Sequence, residues 1–114
     1  MAGGVYCSST SGYVNSISGY NANTWYNLVV TYASNTITLY LNGVLQGTLT
    51  STRAGTPNPL WYAVGYTDGT AGIYLGGVKN NFNGYIGPVK FYGAALNQSQ
   101  ITQNFNALRG RYGV

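Results

Sequence analysis

Acid–base and metal chemistry need carboxylates or imidazoles, and this chain is nearly empty of both: Asp68 is its single acidic residue and it has no His. Glycoside hydrolysis uses a pair of carboxylates, one as acid and one as nucleophile or base. One chain cannot assemble that pair here. A Ser-His-Asp triad and a His-based metal site are excluded in the same way. Calcium takes about six to eight oxygens, several of them from carboxylates. Asp68, in Tyr66-Thr67-Asp68-Gly69-Thr70, reads instead as a turn residue. A tyrosine can act as a general base, but such a site also wants a cluster of cations beside it. Arg53, Lys79, Lys90, Arg109 and Arg111 are scattered apart from the C-terminal pair. The expectation is a protein that is not an enzyme, with no metal and no cofactor.

What remains is aromatic. The chain holds twelve Tyr and two Trp. Trp61, Tyr62, Tyr66 and Tyr74 lie on or beside the middle loops and could form a platform on which sugar faces stack, with Asn and Thr bonding the hydroxyls. The plainer alternative is that alternate members fill the core while the others pack on neighbouring subunits, since Tyr is enriched at protein interfaces.

Charge supports the second reading. Only 5% of residues are charged, for a formal net charge of +4. Soluble monomers commonly carry about a quarter charged residues, so little here opposes self-association. The five cations suit a solvated surface or a subunit contact better than nucleic acid, and no nucleic-acid partner is expected. Cys7 stands alone, which excludes a disulfide within one chain. Met1 to Ser8 lacks the basic start and apolar run of a signal peptide, Gly4-Val5-Tyr6-Cys7 is not a convincing lipidation site, and no apolar run approaches a membrane span. No membrane insertion is expected.

At 114 residues, with 45% hydrophobic residues and seventeen Gly, the chain fits one all-β domain with many turns. Residues 1–22 are rich in Gly, Ser and Tyr, and Ser9-Thr10-Ser11-Gly12-Tyr13 recurs as Ser16-Ile17-Ser18-Gly19-Tyr20, a weak strand pair or a loop. From Trp25 the alternation of Tyr26, Leu28, Val30 and Tyr32 predicts a strand with one strongly apolar face. Ser34-Asn35 turns the chain, and Ile37, Leu39 and Leu41 predict a second strand with Tyr40 on its outer side. Asn42-Gly43 suits a type I′ turn. A two-residue turn with unbroken register would oppose Leu39 to Gln46, so a bulge or a longer loop is expected. Pro57 and Pro59 mark a loop over 52–59. Strands are expected at 60–66 and 72–75, joined through Thr67-Asp68-Gly69-Thr70. In a last long strand Phe82, Gly84 and Ile86 share one parity and Val89 and Phe91 the other, so Gly87-Pro88 would supply a bulge that turns both sets inward. One helix follows. Asn97 caps it with Gln100 as the capping-box partner, Ile101, Phe105 and Leu108 form its apolar stripe, and Gly110 ends it. Arg109 and Arg111 suit the negative end of its dipole.

The Trp25 strand, the Leu39-Tyr40-Leu41-Asn42-Gly43 hairpin, the Phe82–Gly84–Ile86 strand and Ala95-Leu96 before the helix resemble the second half of a laminin-G-like, concanavalin A-like jelly roll. The resemblance covers roughly 23–108 and rests on core-packing marks, which identify a fold and not a ligand. It implies a short antiparallel β-sandwich with one C-terminal helix, of a kind used mainly to bind glycans and proteins. Members usually carry several more strands before the Trp-containing strand. The resemblance therefore implies either a reduced sandwich or edges completed by neighbours, hence an oligomer whose copies cover one another's edges. The ending, 103–113, also looks like the tails of such domains in bacteriophage structural proteins. The expectation is thus a virion structural protein, a capsid-decoration or tail/fibre subunit whose partners are copies of itself and other virion proteins. The alternatives are a lectin-like module for cell-surface glycans, or a subunit of an extracellular filament. The expected location is the virion, with an extracellular or cell-surface setting as the alternative.

Overall fold

The computed structural model describes residues 6–9, 12–15, 21–50, 66–67, 80–81 and 83–114. The chain divides into two compact units, Met1–Ala54 with Tyr92–Val114, and Gly55–Phe91. The first unit holds β1 (Tyr6–Ser9), β2 (Gly12–Asn15), β3 (Leu28–Ala33), β4 (Thr36–Leu41), β5 (Val44–Thr50) and α1 (Gln98–Tyr112). The second holds β6 (Tyr66–Thr67) and β7 (Asn80–Asn81). Among the described residues the strands form three antiparallel sheets, β1–β2, β3–β4–β5 and β6–β7. These strands and the one described helix agree with the expected antiparallel all-β class and C-terminal helix; two facing layers are not formed among the described residues.

Two tight turns set the three-stranded sheet. Ser34 and Asn35 have φ of 48° and 60°, and Asn42 and Gly43 have φ of 50° and 77°. Positive φ at both central residues is what a type I′ hairpin requires, and its twist matches that of the strands. Ala33 accordingly opposes Thr36, and Leu41 opposes Val44. The expected bulge is present in β5: the register shifts between Leu39 and Tyr40, so that Tyr40 faces Leu45 but Leu39 faces Gly47. That shift keeps Gln46 from standing opposite Leu39. The glycine leaves room beside Leu39, which is fully buried. β2 lies beside β5 and reaches β4 without joining their ladder.

The helix is capped as its sequence predicts. Gln100 N–H donates to Asn97 Oδ1 at 2.9 Å, and Asn97 N–H donates back to Gln100 Oε1 at 3.0 Å. Ile101 is fully buried, with Phe105 and Leu108 half-buried on the same stripe. The helix meets the sheet at its end. Gln98 Nε2 donates to Gly43 O at 2.8 Å, and the Phe105 ring lies under the Gly43 backbone.

Three expectations are corrected. The strand beginning at Trp25 starts only at Leu28, because the Asn27 N–H is taken by the Asn42 side chain instead of a backbone carbonyl. The helix does not stop at Gly110. It continues to Tyr112, and Gly113, at φ 69° in the left-handed region, closes it by donating to Arg109 O. The last long strand is not formed over 83–91: Gly87-Pro88, expected to bulge a ladder, interrupts it, since Pro cannot donate. The described members of its two apolar sets are not buried, for Ile86 and Val89 are exposed and Phe91 is 74% exposed; Phe82 lies outside the described residues. The strands expected at 60–66 and 72–75 lie outside the described residues except at Tyr66.

Candidate functional site

The site candidates read from the sequence are only partly visible. Trp61, Tyr62 and Tyr74 lie outside the described residues, as does Asp68. Tyr66 stands in β6 opposite Asn81. Cys7 sits in β1 opposite Val14. No group of three or more His, Cys, Asp or Glu gathers among the described residues, and no helix there is long and apolar enough to cross a membrane.

The surface that does stand out is the apolar row of β3. Directly opposed residues of an antiparallel pair share a face. Leu28 opposes Leu41, Val30 opposes Leu39, and Tyr32 opposes Ile37, so these six side chains form one apolar face. It is buried unevenly. Leu39 and Leu41 are inside, whereas Leu28, Val30 and Tyr32 are 42%, 47% and 54% exposed. On the other face of β3, Val29 and Thr31 are half-buried. The more apolar side of this strand is therefore its more exposed side.

Backbone polarity reinforces the pattern. Asn42 N–H donates to Asn27 O at 2.8 Å, so 27 and 42 form a bonded pair. Bonded pairs alternate along an antiparallel ladder, so Val29, Thr31 and Ala33 also bond toward β4. The N–H and C=O groups of Leu28, Val30 and Tyr32 then point away from it. β3 is an edge strand, and among the described residues nothing pairs with its outer side. Three residues thus present apolar side chains together with backbone groups that pair with nothing among the described residues. The other edge, β5, carries a bulge and has β2 beside it. Such an arrangement does no bond chemistry. It can bury apolar area and accept a strand.

Sequence reading placed these three side chains on one strongly apolar face, from parity alone, and did not register its exposure. The missed signal was the composition of the strand: Leu28–Ala33 has no charge, proline or glycine to guard an edge.

A second cluster sits at the helix C-terminus. The rings of Trp25 and Tyr112 lie 4.8 Å apart at 51°, and Arg111 Cζ lies 5.7 Å from the Tyr112 ring centre. Arg109 Cζ stands 5.5 Å from the Phe105 ring centre, and its Nε donates to Val114 O at 3.0 Å. Both arginines are thus engaged within their own helix end, where the dipole favours them.

No curated protein shows significant similarity to the chain. One solved structure is similar at TM-score 0.64 and 20% identity, covering 82% of this chain: residues 221–444 of an S-layer domain-containing protein from Clostridium thermocellum. The match spans 44% of that chain, less than half its length. At such identity the likeness concerns the fold. A family model described as the concanavalin A-like lectin/glucanase superfamily matches residues 3–102, taking in the sheet, its two type I′ turns and the capped start of the helix. With most of its length inside that match, the chain belongs to the concanavalin A-like lectin/glucanase superfamily.

Proposed function

We propose that this protein is a non-catalytic module of an extracellular surface or particle, acting through contacts between its own copies. The observation that carries the reading is the row Leu28, Val30 and Tyr32, an apolar face half-exposed on an edge strand. Such a face is a template for association unless something guards it. The chain supplies little guard, with one acidic and five basic side chains in all. The same scarcity of carboxylates argues against the glycosidase chemistry found elsewhere in the superfamily.

The S-layer description of the structural neighbour is consistent with a cell-surface setting. Neither comparison carries a virion context, so the phage-like tail at 103–113 is the whole support for a particle. Glycan binding is the second reading. It is favoured by the superfamily's lectin members and would act through stacking on Trp61, Tyr62, Tyr66 or Tyr74.

Light scattering of residues 1–114 over a concentration series tests the first reading. A mass that rises to a defined multimer supports it. A monomer throughout, with glycan affinity lost in Trp61→Ala, transfers the assignment to the lectin.

A further inference from the structure

We infer that Asn83 is a site of spontaneous modification, at which the side-chain amide is lost as ammonia through a cyclic imide closed by the Gly84 nitrogen, and that the fold protects Asn42 from the same reaction. The inference is independent of the self-association reading above.

Asparagine is among the thermally labile residues, and its amide is lost most readily where glycine follows. Glycine has no Cβ to block the approach of its own nitrogen to the asparagine Cγ, and its backbone turns freely into the conformation required. Asn-Gly occurs twice in this chain, at Asn42-Gly43 and Asn83-Gly84. The reaction needs only water. The Gly84 nitrogen bonds to Asn83 Cγ and gives up its proton. The bond from Cγ to the amide nitrogen breaks, and that nitrogen leaves with the proton as ammonia. One water then opens the imide. Opening at Cγ leaves aspartate, and opening at the backbone carbonyl leaves isoaspartate, whose main chain runs through Cγ.

The two sites share a dipeptide and differ in restraint. At Asn42-Gly43 three hydrogen bonds of 2.8 Å hold the turn: Asn27 N–H to Asn42 Oδ1, Asn42 N–H to Asn27 O, and Gln98 Nε2 to Gly43 O. The Phe105 ring packs against the same glycine. Closing an imide there means rotating the Asn42 amide out of its bond and swinging the 42–43 peptide against these contacts, so the turn must first open locally. Asn83 carries no such restraint. It is exposed, as are Gly84, Tyr85 and Ile86, and 83–91 forms neither strand nor helix. Among the described residues nothing bonds the Asn83 side chain or the Gly84 N–H. The product adds an acidic side chain to a chain that encodes only Asp68, two positions before Tyr85, itself 87% exposed.

The test ages residues 1–114 in mildly alkaline buffer beside a sample unfolded in guanidinium chloride, and follows both by cation exchange and peptide mass spectrometry. The folded chain should yield an acidic form with the mass gain of amide-to-acid conversion at Asn83, isoaspartate among its products. Its rate there should exceed that at Asn42 about tenfold or more. In the unfolded sample the two sites should react at similar rates, because only the fold separates them. Asn83→Gln should suppress the acidic form without changing the charge of the fresh protein; should that variant fail to fold, mapping of the parent chain decides alone. Asp68-Gly69 can isomerise through the same imide, but it gains neither mass nor charge and so does not enter the acidic form. Conversion of Asn42 as fast as Asn83 in the folded chain overturns the protection. A folded chain that ages without conversion at Asn83 overturns the site.

Discussion

Asn27 and Asn42 close the open end of the β3–β4 ladder with two hydrogen bonds of 2.8 Å, one from Asn42 N–H to Asn27 O and the other from Asn27 N–H to Asn42 Oδ1. A side chain thus completes what a backbone carbonyl does elsewhere in the ladder. The cause is the turn: Asn42 is already in the left-handed region, at φ 50°, so its own carbonyl has left the strand direction. Asparagine is suited to both tasks, because it tolerates that conformation and carries an acceptor.

The two tasks can be separated. Asn42→Gly keeps the backbone conformation and removes the acceptor, leaving the half-buried Asn27 N–H unpaired. We expect a loss of about 1 kcal/mol. Asn42→Ala adds the strain of a left-handed Cβ and should cost about 2 kcal/mol. Urea unfolding reads both. A glycine variant as stable as the parent would show that the side-chain bond contributes nothing.

Gly43 is restricted twice. Its φ is 77°, and a Cβ built there would stand 3.2 Å from Phe105 Cδ1. Gly43→Ala should therefore cost about 1–2 kcal/mol from conformation, with an added part from the ring. Phe105→Ala removes that part, so the pair should be less destabilising than the sum of the singles. Strict additivity would mean that the helix gives way freely at this point.

The Asn97 cap is exposed but complete, with both bonds of the capping box formed. Asn97→Ala should lower stability by about 1 kcal/mol. Gln100→Ala should lower it less, because it removes the reciprocal bond and leaves the Asn97 acceptor in place. The loss should appear as reduced helical circular dichroism and a lower urea midpoint. An unchanged midpoint in Asn97→Ala would show that packing of Ile101 alone fixes the helix start.

Local structure was readable wherever a residue type carries its own geometry. The Asn42-Gly43 turn, the Asn97–Gln100 box and the Ile101–Phe105–Leu108 stripe depend on neighbours a few positions apart. The β5 bulge was also legible, since an unbroken register would have set Leu39 against a polar Gln46. Burial was harder. Alternation places Leu28, Val30 and Tyr32 on one face with Leu39 and Leu41, and the structure agrees on the face. Whether that face is covered depends on which strands lie over it, and strand parity is silent on that. The helix end shows the same limit. Gly110 looks like a stop, yet Tyr112 gains a ring contact with Trp25 at 4.8 Å, a long-range partner that local propensity cannot register. Of the stacking candidates, Tyr66 is fixed only as a β6 residue paired with Asn81, so the sugar platform still rests on residue types.

Leu39 and Leu28 provide the sharpest contrast, because they share a face and differ in cover: one is fully buried and the other 42% exposed. Leu39→Ala should cost about 2–5 kcal/mol, the usual range for truncating a buried leucine. That cost should be the same at every protein concentration, since the side chain is inside a single chain. Leu28→Ala should cost clearly less in dilute solution. Where copies associate through the apolar row of β3, however, Leu28 becomes buried. Stability gained by association depends on concentration, so the effect of Leu28→Ala on the thermal midpoint should grow as the protein is concentrated. Thermal unfolding of both variants at a low and a high concentration decides the matter. If the Leu28→Ala deficit stays constant across the series, that side chain is not buried by a second copy, and the row on β3 needs a different partner.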